Sequence, residues 1–561
     1  MTQAGGFPGA LGQLADLADI RGAAAIASDL RRAASAIGAL PRAELEEFEQ
    51  RACGGRLGFG GGFSSTIVTR LHDLATDGAD QSVRAALTTI PAVLGRLVHL
   101  EAVTTADALR LVRQTGVLTL DDLRTVLESG RIDAAMGGAV AGRLRTVADS
   151  LARGFRTLPL GRAWDLLDDL GEQIRAVCPA VSLLVVSGDA RRMEPMTGPP
   201  VLVGRAPDPP AALDVITSMP GVEDVRHRGP RRAILWTRQA EVDIRVATPD
   251  DYGTALFRAT GSPSHVAAVE RRRSALRIAR LEEDVYAHAG LPYIPPELRQ
   301  GVGEVEAAAT AAPPRLVTQN DIRGDLHMHS TYSDGRDTLD AMVGQCMALG
   351  YEYIAMTDHS ERAGASRTVT IELLARQRDE IARLRERYRQ LAILHGIEVD
   401  VMPDGRLDFP DRVLEPLDIV LASVHDSAHQ DARGLTARCL QAIRHPLVTI
   451  LTHPGNRIVG RRAPYPLDYA AVYAAAAETG TALEIDGAPM HLDLDGDQAR
   501  AAIGAGATVV IDSDAHRAAA LARQMHFGVG TARRGLVEPR HVLNARPLAE
   551  VRRFIAAKRR R

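Results

Sequence analysis

Lysine is almost absent from this chain. Of its 67 basic residues only Lys558 is a lysine and the rest are arginines, a bias that a GC-rich coding sequence would produce. A mechanism through a lysine Schiff base therefore has one candidate, in a terminal segment expected to fray, and lysine-based lyase chemistry is not expected. Cysteine is scarce as well. Cys53, Cys178, Cys346 and Cys439 make no CxxC pair and no disulfide framework, which points to a reducing, cytoplasmic setting. Aromatic residues are only 4%. No apolar run approaches the ~18 residues that a membrane-spanning helix needs, so no membrane partner is expected. The first twenty residues lack a basic start and carry Asp16 and Asp19, unlike a secretory signal.

A dominant charge is missing too. The 70 acidic residues nearly balance the basic ones, for a net charge of −3, so bulk charge does not announce a nucleic-acid binder. What is present is material for several cores: 561 residues, 45% apolar and 24% charged. That composition excludes wholesale disorder and fibrous classes, and at ~150 residues per domain the length suggests three or four domains.

The texture changes along the chain. Residues 1–155 read as helical, with apolar positions at three- and four-residue spacing in AAAIASDLRRAASAIGAL and ADALRLVRQTGVLTLDDLRTVLESG. Residues 156–300 mix helices with short β-branched runs such as VSLLVVSG, RRAILW and AEVDIRVA, an α+β pattern. The Ala/Pro-rich stretch 301–320 reads as a linker. From 321 to 561, buried strand runs (YIAMT, LAILHGIEV, DIVLASV, LVTILT, TALEI, ATVVI) alternate with helical patterns, which predicts a parallel sheet with helices outside. Polar residues recur at the strand ends His329, His359, Glu398, His425, His453, Asp486 and Asp514. Their spacing is close to the ~30 residues of one (β/α) unit, and predicts a multidomain chain ending in a barrel of about seven units.

Those ends carry metal-ligand chemistry. His327 and His329, and again Asp514 and His516, stand two apart, so on a strand each pair faces one side. With Asp334, His359, Glu398, His425 and His453 they make nine nitrogen and oxygen donors at the C-terminal mouth, where barrel enzymes keep their chemistry. Imidazole and carboxylate without thiolate suit Zn²⁺ or Mn²⁺, with Fe²⁺ or Mg²⁺ also compatible. Nine donors are too many for one ion, so two or three divalent cations are expected, with Glu398 a natural bridge. Clustered ions activate a shared water and clamp phosphate oxygens during in-line attack. Any one of these histidines alone is more often a hydrogen-bonded structural residue; their common placement is what argues for a site. His99, His227, His265, His288, His445, His491, His526 and His541 lack that placement and read as surface or packing residues, and His395 and His429 are weak candidates.

At these residues the chain resembles the PHP (polymerase and histidinol phosphatase) domain, a distorted seven-stranded barrel with a trinuclear centre. The resemblance implies that His327, His329, Glu398 and Asp514 hold one metal, Glu398, His425 and His453 a second, and Asp334, His359 and His516 a third, with Glu398, Asp514 and His516 in catalytic roles. The preceding stretch resembles the bacterial family X DNA polymerases that carry this domain at their C-terminus, through LEEDVYAHAGLPYIPPELR, VDIRVATPDDYGTALFRATGSPSH and ADLADIRGAAAIASDLRRAASAIGAL.

The departures from that family matter as much. Its polymerases place a Gly-Ser turn and paired arginines before an Asp-x-Asp that holds two magnesium ions. Here the turn is Gly188-Asp189 and the arginines, which are candidate DNA contacts, are Arg191 and Arg192. The aspartate positions fall on Gly198 and Pro200, or on Pro199 and Val201. Asp243 remains as a residual carboxylate, and one carboxylate cannot assemble a two-metal polymerase site. Of two DNA-binding hairpins only LGFGGGFSS persists, whose Gly58, Gly60 and Gly62 could offer backbone N–H groups to a phosphate; a plain flexible loop is the equal alternative. The expectation is a metal-dependent phosphodiesterase acting on DNA 3′ ends, gapped or single-stranded, in repair, favoured as a monomer, with hydrolytic cleavage at abasic sites within its implied range and a dead polymerase module. The alternatives are a small-molecule phosphomonoesterase of the histidinol-phosphatase kind, a non-catalytic DNA-end scaffold, and an active gap-filling polymerase.

Overall fold

The computed structural model describes residues 157–561 except 239, 273–277, 365–366 and 428, and only parts of 1–156, chiefly helical. The glycine loop with Gly58, Gly60 and Gly62 lies outside the described residues. Two compact units are present. One comprises Met1–Leu158 and Arg162–Ala312, the other Pro159–Gly161 and Pro313–Arg561.

The first unit begins with amphipathic helices such as Ala24–Gly38 and Thr105–Thr115. Leu30, Ala33 and Ile37 form the buried stripe of the former, at the spacing that puts side chains on one helical face. A mixed sheet follows, built from β1 (Ser182–Ser187), β2 (Val201–Arg205), β3 (Val222–Arg228), β4 (Arg232–Thr237) and β5 (Glu241–Ala247). Its order is β1-β2-β5-β4-β3, with β2 and β5 parallel and the other pairs antiparallel. The central strand β5 is buried at every residue. Within the stretch 301–320, Glu304–Thr310 forms a helix, as its alanines favour. Glu304 accepts from the N–H groups of Gly301 and Val302 at 2.8 Å and meets His265 Nδ1 at 2.5 Å.

The second unit is a seven-stranded parallel barrel: β6 (Gly324–Asp325), β7 (Tyr353–Met356), β8 (Ala392–Asp400), β9 (Ile419–Ser423), β10 (Ile450–Leu451), β11 (Ala482–Asp486) and β12 (Val509–Asp512). Each strand pairs with its neighbour in the chain. The seam between first and last strands is closed at both ends. At the mouth, Met328 bridges Ala515, with Asp514 N–H donating to His327 O at 3.0 Å and His329 N–H to Ala515 O at 2.9 Å. At the floor, the buried Asn544 amide donates to Gly324 O (2.8 Å) and Ile511 O (2.6 Å) and accepts from Ile511 N (3.1 Å).

Strand periodicity sorts the side chains. On β8, Ile393, Ile397 and Val399 join the hydrophobic layers around the barrel, while Leu394 joins the apolar floor cluster with Leu421, Ile450 and Val510. Glu398 shares the parity of Leu394 and stands above that floor. Several outer helices begin at the mouth with side-chain caps from Thr338, Thr370, Asp431, Asp468 and Asp495.

Lys558 corrects one expectation. It sits in the helix Leu548–Arg559, 2% exposed, with Nζ donating to Ile443 O at 2.6 Å. Ile443 ends the helix that leads into β10, so this amine lies toward the floor, opposite the mouth. Cys178, Cys346 and Cys439 are buried free thiols. No described helix is long and apolar enough to cross a membrane.

Replacing Asn544 with Ala orphans buried backbone groups on both sides of the seam, at about 1–3 kcal/mol for each unmet group. Chemical denaturation is expected to register a loss of roughly 3 kcal/mol or more, and an unchanged midpoint would refute this role.

Candidate metal centre

Glu398 is fully buried at the centre of the mouth. Its Oε2 lies 2.8 Å from His359 Nδ1 and 3.3 Å from His327 Nε2, and its Oε1 lies 3.0 Å from His453 Nε2 and 3.3 Å from His425 Nε2. Four strand ends thus deliver an imidazole to one carboxylate. Asp514 Oδ1 meets His329 Nε2 at 2.9 Å and His327 Nε2 at 3.6 Å. Asp334 Oδ1 stands 3.3 Å from His516 Nε2 and 3.5 Å from His359 Nε2. All nine residues singled out in the sequence therefore converge.

Local backbone makes this convergence possible. A Cβ on Gly335 would lie 2.7 Å from the carbonyl carbon of His329, so glycine lets the loop carry Asp334 over the strand. His453 and Asp514 hold positive φ, +24° and +50°. Such backbone is uncommon outside glycine and gathers at functional sites. At His453 it breaks the alternation of β10: Thr452 Oγ1 and His453 Nε2 both reach Glu398 Oε1, at 3.3 and 3.0 Å.

A second ring of carboxylates orients the imidazoles. Glu484 Oε1 is 2.6 Å from His327 Nδ1, and its Oε2 accepts from His453 N at 2.7 Å. Asp400 Oδ1 is 3.0 Å from His425 Nδ1. A carboxylate at Nδ1 fixes that tautomer and leaves Nε2 turned to the centre. The sequence reading missed both residues, although each stands two positions from a strand-end residue it did single out, Asp486 and Glu398. His491, expected at the surface or in packing, stacks on His453 and also groups with Asp486 and Asp514, because the loop after β11 folds back over the mouth.

The electrostatics are those of a donor cage. Burial opposes charge on Glu398, yet His359, His327 and His425 hold it well below the usual carboxylate range. Burial likewise opposes charge on His425 and His516. Glu398 and Asp400 raise the first to about 10, and Asp514 and Asp334 raise the second to about 9. His329, buried and facing His516 and His359, is lowered to about 3. The residues fit divalent cations on a specific observation: Glu398 Oε2 is buried among imidazole nitrogens without a hydrogen-bond partner of good geometry. His327 Nε2 and His329 Nε2 also face each other at 3.1 Å. Three groups have donor atoms within 4.8 Å of one another: His327, His329 and Asp514; His359, Glu398 and His425; His329, Asp334, His359 and His516.

The residues expected from the polymerase resemblance lie in the first unit. Asp243 is gripped by Arg232, Nε to Oδ1 at 2.9 Å and Nη2 to Oδ2 at 3.0 Å, and by Arg245 Nη2 at 3.1 Å. Its partner across the parallel pair is Val201. Arg191 pairs through both terminal nitrogens with Glu282, at 2.9 and 2.7 Å. The buried Arg192 donates to Thr260 O at 2.7 Å and pairs with Asp189. Both arginines, read from the sequence as DNA contacts, are thus engaged internally.

The PHP domain family model matches residues 325–449, which hold six of the nine donors. Over 205 residues the chain is 32% identical to a probable phosphatase of Thermoanaerobacter sp. (strain X514), covering 34% of this chain and 78% of that one. The chain belongs to the PHP domain family. It is also 36% identical over 371 residues to the DNA polymerase/3′-5′ exonuclease PolX of Bacillus subtilis (strain 168). That match spans 62% of this chain and 65% of the relative, just under two thirds of its length. It is longer than the whole of Pro313–Arg561, so the likeness extends ahead of the PHP barrel. Among solved structures, the zinc-, histidinol- and phosphate-bound histidinol phosphate phosphatase of Lactococcus lactis is 20% identical, with a TM-score of 0.31, over 38% of this chain and 95% of that one.

Glu484 generates a prediction for the PHP centre. Glu484→Gln is expected to weaken Mn²⁺ or Zn²⁺ binding about 10- to 100-fold, as loss of an orienting carboxylate does. Equilibrium dialysis with metal analysis is the check, and an unchanged affinity would discard the orienting role.

Proposed function

We propose that this chain is a divalent-metal phosphodiesterase that removes nucleotides or blocking groups from DNA 3′ ends in repair, with hydrolytic cleavage at abasic sites within its range. The observation that carries the reading is the set of nine nitrogen and oxygen donors gathered around Glu398 in one mouth. Two or three bound divalent cations, Mn²⁺ or Zn²⁺ foremost and Fe²⁺ or Mg²⁺ compatible, would supply Lewis-acid activation of water and of the scissile phosphate. The chain's own residues do the positioning. Glu398 ties the donors of four strands together. Asp514 and His516, two apart beyond β12, reach two different donor groups and hold them at a fixed separation.

The rim favours a long polyanion over a small phosphomonoester. Arg336 and Arg517 are exposed beside His516, with Arg336 N–H donating to His516 O at 2.8 Å. Arg461 is exposed on the hairpin that follows His453 and is closed by the Ile458–Arg462 bridge. The imidazole rings run between these two lips in contact, His516 to His329, His359, His425 and His453. A phosphodiester backbone crossing the mouth would meet guanidinium groups on both sides, a sequence-independent grip that weakens with salt. The second reading, a small-molecule phosphomonoesterase, has the likeness to the probable phosphatases behind it.

An assay on 5′-labelled single-stranded and gapped DNA with Mn²⁺ separates the readings. Progressive 3′ shortening that Asp514→Asn abolishes is expected. Replacing Arg336, Arg461 and Arg517 together with Ala should raise KM for DNA and lower the log–log salt slope by about 2, leaving turnover of a small phosphomonoester unchanged. Intact metal loading without any 3′ shortening sinks the DNA reading. Rapid phosphomonoester turnover without salt-sensitive DNA binding supports the second.

The polymerase module is proposed to be inactive. Two arginines already neutralise Asp243, and an arginine stays protonated throughout the physiological range. The expected result is no nucleotide incorporation on a primed gap with Mg²⁺ or Mn²⁺. Incorporation that disappears in Asp243→Ala would overturn this.

A further inference from the structure

Asp486, His491 and Asp514 form a group that the nine-residue set does not include, with donor atoms within 4.8 Å of one another. Asp486 ends β11 and is fully buried. Its Oδ1 accepts from Ala488 N at 2.6 Å, while its Oδ2 is buried with no hydrogen-bond partner. His491 Nδ1 lies 2.8 Å from the carbonyl oxygen of Arg457. A carbonyl only accepts, so Nδ1 carries the proton and Nε2 keeps its lone pair for another partner.

The loop that carries His491 is fixed on several sides. Asp486 N–H donates to Asp493 O at 2.7 Å, Val459 N–H to Met490 O at 2.8 Å, and Arg457 Nε to His491 O at 2.7 Å. The imidazole also stacks on His453, with centroids 5.8 Å apart and planes 24° from parallel. An orphaned carboxylate oxygen, an imidazole with a free lone pair and the carboxylate of Asp514 are therefore held together before any ligand arrives. Two buried carboxylates this close repel each other unless a cation or a shared proton stands between them.

We propose that Asp486, His491 and Asp514 hold a further divalent cation, adjoining the nine-residue centre and sharing Asp514 with it. Two carboxylates and one imidazole, with no thiolate, suit Mn²⁺ or Zn²⁺. A carboxylate has two oxygens, so Asp514 can serve this cation and the His327–His329 side at once. The cation would neutralise the Asp486–Asp514 pair and pin the loop 487–492 to the last strand. It shares Asp514 with the centre described above but does not depend on that centre's reaction.

The full chain, loaded with Mn²⁺ and crystallised, gives the direct test by anomalous diffraction. The expected map has a peak between Asp486 and His491 in addition to those among the nine residues. Equilibrium dialysis should find one ion fewer per chain in His491→Ala and in Asp486→Asn than in the wild type, with the control His445→Ala unchanged. A wild-type map without that peak, or variants that bind as many ions as the wild type, overturns the proposal and leaves a shared proton between the carboxylates. If either variant fails to fold, the wild-type map decides alone. Missing peaks among the nine residues with this one retained would instead count against the phosphodiesterase reading.

Discussion

The second unit is organised around the problem of burying one carboxylate. Removing an ion such as Glu398 from water costs several kcal/mol unless opposite charge or good hydrogen bonds replace the solvent. Here compensation comes from His327, His359, His425 and His453, each carried by a different strand. None of them can reach Glu398 unless the barrel closes and every strand keeps its register. A one-residue slip in β8 would turn Glu398 outward, to the side where Ile397 and Val399 pack, and put an aliphatic side chain among the imidazoles. The packing of the outer layer and the chemistry of the mouth thus enforce the same alignment.

The barrel is layered along its axis by the same logic. Leu394, Leu421, Ile450 and Val510 make a dry floor, and Asn544 satisfies the backbone where the first and last strands meet. Glu484 lies two residues before the strand-end Asp486 and binds His327 Nδ1 and His453 N. The donors come next, and the helix N-termini and exposed arginines of the loops surround the opening. Polarity rises step by step toward solvent, so charged groups are supported from below and approached by ligand only from above. The positive φ of His453 and Asp514 belongs to this scheme, since regular strand geometry alternates sides and could not give Glu398 both Thr452 and His453.

Most of this was legible in the sequence because strand ends repeat. The spacing of His329, His359, Glu398, His425, His453, Asp486 and Asp514 gave the number of strands and the side on which the chemistry sits. What it could not give were contacts made through loops and tails. Asn544 closes the seam from a short helical turn after the last barrel helix, and its sequence neighbourhood is unremarkable. Lys558, placed in a fraying end by its basic neighbours, is buried because its helix packs across the barrel floor. His491 has no strand pattern of its own, and only the fold-back of 487–492 brings it to Asp486. Glu484 and Asp400 are different: period two on β11 and β8 already put them on the inner face, and attention to the strand tips alone passed them over.

The two units answer the same physical demand in opposite ways. In the sheet of the first unit, Asp243 is buried and compensated by Arg232 and Arg245, whose guanidinium groups cannot lose their charge under ordinary conditions. The compensation is permanent, and a cation approaching that carboxylate would have to displace two bound arginines. In the barrel the compensating groups are imidazoles, which unlike a guanidinium can surrender a proton to a competing cation and then present a lone pair. A cation entering there replaces protons and turns each former counter-ion into a ligand. The same kind of buried carboxylate is therefore locked in one unit and exchangeable in the other. That difference between arginine and histidine is the physical ground for assigning the chemistry to the barrel.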